Sequence, residues 1–125
     1  MAALPHAFHR IRLELARESG HPVGSHQHGY EFVAPLSDNG RIDSKLWKAH
    51  RDECRVIRFR PDDRDVGHLV HRPGGSWAFH YDVDGNEEDE GGYRFSDEPF
   101  VVGEYVSIRE ADKTHTFQVT SVERL

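Results

Sequence analysis

Two histidines one residue apart, His26 and His28, open the apolar segment "HGYEFVAPL". A spacing of two puts both imidazoles on one face of a β-strand. Neutral imidazoles that converge can hold Zn²⁺, Fe²⁺ or a similar ion. The same alternation predicts companions. His26 and His28 are in phase with Tyr30 and Phe32, His9 with Ile11 and Leu13, and His115 with Phe117 and Val119. All four therefore fall at strand ends on the parity that faces a core, where the mouth of a barrel would gather them. With His80 from "WAFHYD", the candidate metal set is His26, His28, His80 and His115. One reading is a divalent transition metal held there. The other, which is our expectation, is that these histidines rim a barrel holding no ion and no cofactor.

A second group of residues lies in "HLVHRPGGSWAFHYD". Pro73, Gly74 and Gly75 can bring backbone N–H groups close to a ligand, and Arg72 beside them can pair with an anion. Trp77 and Tyr81 offer a stacking wall. The candidate ligand set is Arg72, Gly74, Gly75, Trp77 and Tyr81. The simpler alternative is a tight hairpin turn with the aromatics in the core, because a glycine-rich turn without a following helix cradles phosphate poorly. "DVDGNEEDEGG" echoes the start of a calcium loop, yet Glu87 and Tyr93 stand where such a loop needs glycine and glutamate. It reads as an exposed acidic loop. Cys54 follows His50 by four residues, but a nucleophilic pair needs convergence, and the serines show no nucleophile-elbow spacing.

The elements that must position these residues are mostly strands. Period-two alternation runs through "FHRIRLELA", "YEFVAPL", "CRVIRFR", "GSWAFHYD", "GEYVSIRE" and "THTFQVTSV". In "CRVIRFR" it sets Ile57 and Phe59 on one side, with Arg55 at that side's edge. "IDSKLWKAHRDE" alone looks helical, with Asp43 or Ser44 as N-cap, and should cover one end of the sheet. Turn signals fall at 20–24, 38–40, 61–65, 73–75 and 84–92, and none resembles an interdomain linker. The expected fold is all-β with one short helix, a small antiparallel barrel or sandwich spanning 1–125 as a single domain.

Composition narrows the function classes. The chain has 125 residues, 36% of them hydrophobic and 30% charged, with a net charge of −6. That balance argues against a general nucleic-acid surface, which needs clustered cations. No apolar run reaches the length of a membrane span. The opening residues lack a signal-peptide layout, and the single cysteine allows no internal disulfide. A cytoplasmic location is the default expectation.

Two resemblances follow from these motifs. Gly20 followed by His26-x-His28, and Gly67 followed by Pro73-x-Gly75, resemble the openings of the two cupin motifs. The resemblance implies a small β-barrel holding a metal through two histidines and a glutamate of motif one and a histidine of motif two. Glu31 follows His28 by three residues, an odd offset that turns it to the opposite face, and His80 lies five residues after Gly75 rather than three. "HGYEFVAPL", "GHLVHRPGGSWAFHYD" and "GEYVSIRE" are also similar to a group of short bacterial proteins without an assigned activity, which implies a shared fold alone. The functional expectation is a non-catalytic module binding a small molecule or a protein, with no nucleic-acid or membrane partner. The alternative is a cupin-like metal-binding barrel or metal-dependent enzyme.

Overall fold

Apolar side chains at every second position are buried together only when their strands share one inner face, and a sheet closed on itself supplies that face. The computed structural model describes residues 7–17, 24–72, 75–81, 93–95, 98–110 and 113–125. Its strands are β1 (Phe8–Leu15), β2 (Ser25–Pro35), β3 (Arg55–Arg60), β4 (Asp63–His71), β5 (Trp77–Tyr81), β6 (Tyr93–Phe95), β7 (Tyr105–Glu110) and β8 (Lys113–Arg124). Each pairs antiparallel with its neighbour in sequence, and β8 returns to β1 to close the ring. The fold is therefore all-β with one short helix, curled as a barrel. Among the described residues β6 shares two rungs with β5 and two with β7. This is an up-and-down order, each strand beside its neighbour in sequence.

Register fixes which residues point inward. Leu13 of β1 sits opposite Tyr30 of β2, Tyr30 opposite Arg58 of β3, and Arg58 opposite Asp65 of β4. Directly opposed residues share a face. Leu13 and Tyr30 are fully buried, so Arg58 and Asp65 belong to the inner face as well. Ile57 and Phe59 consequently point outward. Phe59 lies across Gly29, which has no side chain to obstruct it, and the Arg12 guanidinium covers its ring at 4.3 Å. Below that rung the interior is packed by Ile11, Phe32, Leu69, Phe79, Val106 and Ile108, each at most 1% exposed.

The helix α1 (Ser44–Ala49) starts where Asp43 Oδ1 accepts from the backbone N–H groups of Lys45 and Leu46 at 3.0 and 3.1 Å. It is shorter than the sequence suggests, ending at His50, with a 3-10 turn over Arg51–Glu53. Its buried residue, Trp47, donates its indole N–H to Leu69 O at 2.9 Å and meets Trp77 edge-on, centroids 5.5 Å apart. His71 stacks on Trp77 at 4.2 Å. Phe8, Leu36, Ile42, Cys54 and Phe100 complete this plugged end. The opposite end carries the starts of β2 and β8 and the turn between β3 and β4. Among the described residues no helix is long and apolar enough to cross a membrane.

Candidate functional site

The histidines divide between the two ends and the two faces of the barrel. His28 and His115 come together on the inner face at the end away from the helix, with ring centroids 6.5 Å apart, and His28 also lies 6.0 Å from Phe117. His26 does not join them. Glu14 pairs with Gly29 but Leu15 pairs with Ser25, so residues 26–28 form a bulge that breaks the alternation. The bulge turns His26 outward, where its side chain is 93% exposed. His80 opposes His68 on the outer face of β5 and β4. His9 starts β1 at the helix end, donating from Nδ1 to Ala7 O at 2.6 Å. Among the described residues no group of three or more His, Cys, Asp or Glu is placed to hold a metal ion.

The second predicted set lies at the other end. Arg72 and Gly75 belong to the β4–β5 turn, closed by Arg72 N–H to Ser76 O at 2.9 Å and Gly75 N–H to Arg72 O at 3.2 Å. Gly75 has φ 93°, a left-handed conformation that favours glycine. Trp77 is 1% exposed between Trp47 and His71, so its ring is part of the plug. Its indole N–H is buried with no hydrogen-bond partner among the described residues. Gly74 and the Tyr81 side chain lie outside the described residues, as does the acidic stretch 82–92.

The structure adds a group that the residue patterns had not singled out. Arg58 is the one charged residue among the buried ones described, at 7% exposure. Its Nη1 lies 3.5 Å from Asp65 Oδ2. Arg60 Nη2 reaches the same oxygen at 3.0 Å and Asp63 Oδ2 at 3.0 Å. Beneath these charges sit three aromatic rings. Tyr30 stacks on Phe79 at 5.0 Å and meets Phe117 edge-on at 5.1 Å. The histidine end thus presents two guanidiniums, a shared carboxylate and two imidazoles above an aromatic floor. A signal for it exists in "RFRPDDRD", where Arg58 and Arg60 mirror Asp65 and Asp63 about the Pro61–Asp62 turn.

Outside, the bulge is pinned by charges. His26 Nδ1–H donates to Glu14 Oε1 at 2.6 Å, Arg12 Nε donates to Glu14 Oε2 at 2.8 Å, and Arg12 Nη2 donates to His26 O at 3.3 Å. Burial alone would raise the Glu14 carboxyl, but the hydrogen bonds and charges of Arg12 and His26 prevail and hold it below its ordinary value. Arg12, His26, Phe59, Arg60 and Asp63 border a groove of about 640 Å³. Arg60 is therefore reachable from solvent. Cys54 is different: burial first, then the Glu53 charge, push its thiol up to about 12, and its Sγ–H donates to His50 O at 3.5 Å. It is a packing residue without a thiolate.

No protein-family model, curated protein or solved structure matches the chain.

Proposed function

We propose that the protein is a non-catalytic binding module that takes a small ligand at the histidine end of its barrel. The observation that carries this reading is Arg58, a guanidinium held at 7% exposure on the inner face of the barrel. Removing a charge from water costs several kcal/mol, only partly offset by a partner. A binding function is a reason to retain such a charge where an apolar residue would pack as well. The ends of β-barrels are common ligand sites, and they combine apolar walls with a few placed polar groups. Here Tyr30, Phe79 and Phe117, each fully buried, pack beneath the polar groups Arg58, Arg60, His28 and His115. The Arg72–Gly75 turn becomes, in this reading, a connection at the plugged end.

The test is a thermal-shift screen of small organic compounds against the wild-type protein and a His115→Trp variant, whose larger ring would crowd His28, now 6.5 Å from the His115 ring. Compounds that raise the wild-type melting temperature are expected to lose that effect in the variant. Equal stabilisation of both proteins would place binding elsewhere and remove the reading.

A further inference from the structure

We infer that the outer wall of the barrel carries a second site, a groove built around Tyr105 that takes a segment of neutral polysaccharide. This goes beyond the interior site proposed above, and either can fail alone. The groove has a volume of about 530 Å³ and crosses β1, β8 and β7. Register places its residues. Glu14 of β1 opposes Gln118 of β8, and Gln118 opposes Tyr105 of β7. Glu14 sits between buried Leu13 and Leu15, Gln118 between buried Phe117 and Val119, and Tyr105 just before buried Val106. All three side chains therefore point outward. The rung they form spans two strand spacings, about 10 Å at the backbone.

The chemistry of the lining selects the ligand. Tyr105 is 59% exposed and makes no ring contact among the described residues, so its face is open. Short polar groups surround it. The Thr116 hydroxyl has no hydrogen-bond partner among the described residues. Gln118 donates from Nε2 to Gly103 O at 3.3 Å, which leaves its Oε1 to accept. Thr120 donates to Arg12 O at 3.3 Å and keeps its lone pairs. His26 gives Nδ1–H to Glu14 Oε1, so Nε2 faces outward on a side chain that is 93% exposed. Donors and acceptors this closely mixed beside an open ring match a sugar, whose hydroxyls both give and receive and whose C–H face is apolar. Ions fit less well. The described lining pairs one carboxylate, Glu14, with one guanidinium, Arg17, and Arg12 Nε already meets Glu14 at 2.8 Å. No excess of either sign remains to select a charged ligand. A groove along an outer wall lets a chain pass, so the ligand that fits is a stretch of polymer rather than a free monosaccharide.

Affinity electrophoresis tests this. Native gels are cast with soluble starch, dextran, galactomannan, arabinoxylan or mixed-linkage β-glucan, and with alginate as the charged polymer. Wild type, Tyr105→Ala, Tyr105→Phe and Gln118→Ala are run in each, with folding checked by circular dichroism. At least one neutral polymer is expected to retard the wild type, and alginate is not. The dissociation constant should rise at least about tenfold in Tyr105→Ala, the loss of an aromatic anchor. It should stay within about twofold in Tyr105→Phe, which keeps the ring, and rise about threefold in Gln118→Ala, which loses a hydrogen bond. A hexasaccharide of the retarding polymer should compete at least about tenfold better than its monosaccharide. Retardation by no neutral polymer, or by alginate alone, would overturn the ligand class. Retardation unchanged in Tyr105→Ala would overturn the site, and should that variant fail to fold, unchanged retardation in Gln118→Ala would do the same. Equal competition by the monosaccharide would overturn the polymer.

Discussion

Replacing Arg58 with methionine should leave the fold as stable as before, or more so. The Arg58–Asp65 pair, with its arginine side chain 9% exposed and a separation of 3.5 Å, carries a Coulomb attraction of about 5 kcal/mol at an effective dielectric near 20. Desolvation of the guanidinium opposes this by several kcal/mol, so the net contribution is close to zero. Methionine preserves most of the stem that packs beside Tyr30. Asp65 is not stranded by the change, because Arg60 still holds the same oxygen at 3.0 Å. Urea unfolding followed by far-ultraviolet circular dichroism should give an unfolding free energy within about 1 kcal/mol of wild type or above it. The melting temperature should move by no more than a few degrees downward. A loss beyond about 3 kcal/mol, the usual cost of stranding a buried charge, would make Arg58 a strut of the barrel and remove the reason for assigning it to a ligand.

Other outcomes follow from single contacts. A Cβ at Gly29 would run into the Leu13 carbonyl oxygen and meet the Phe59 ring at 3.0 Å. Gly29→Ala should therefore cost about 1–3 kcal/mol in the same unfolding assay, and an unchanged midpoint would contradict the packing of Phe59 across that glycine. With the Cys54 thiol pushed up to about 12, Ellman's reagent should not react with the folded protein near pH 8 but should react in urea. Fast reaction in native buffer would show that the thiol is not buried. Glu14 is held below its ordinary value of 4.5, so its contribution to stability is present above that pH and is lost as pH falls through the folded value. The stability difference between wild type and Glu14→Gln should shrink on acidification below 4.5, and a constant difference would refute the Arg12–Glu14–His26 linkage.

The strands were legible because Tyr30, Phe32, Trp77 and Phe79 follow a period of two that only a half-buried sheet explains. Alternation left the facing of β3 open. It sets Ile57 and Phe59 on one side, and the rungs from Tyr30 and Phe32 to Arg58 and Val56 turn that side outward. Pairing register is a property of two strands, so hydrophobicity within one cannot supply it. The outward Phe59 is tolerated because Arg12 and Gly29 accommodate it. His26 escaped prediction for a related reason: a bulge is set by how β1 and β2 pair, not by either sequence alone. The split between His9 and the pair His28–His115 was within reach. Consecutive antiparallel strands start at alternate ends, and His9 begins an odd-numbered strand while the other two begin even-numbered ones. Knowing the strand count would have been enough.

The most direct test of ligand binding at the histidine end is an NMR titration with 1-anilinonaphthalene-8-sulfonate, following the aromatic and imidazole resonances. Saturable shifts confined to His28, Tyr30, Phe117 and His115, with the side-chain resonances of Arg58 moving on the same curve, are the expected result. Shifts that instead centre on Trp47, His71 and Trp77 at the helix end, or that spread over the outer face without saturating, would contradict the account.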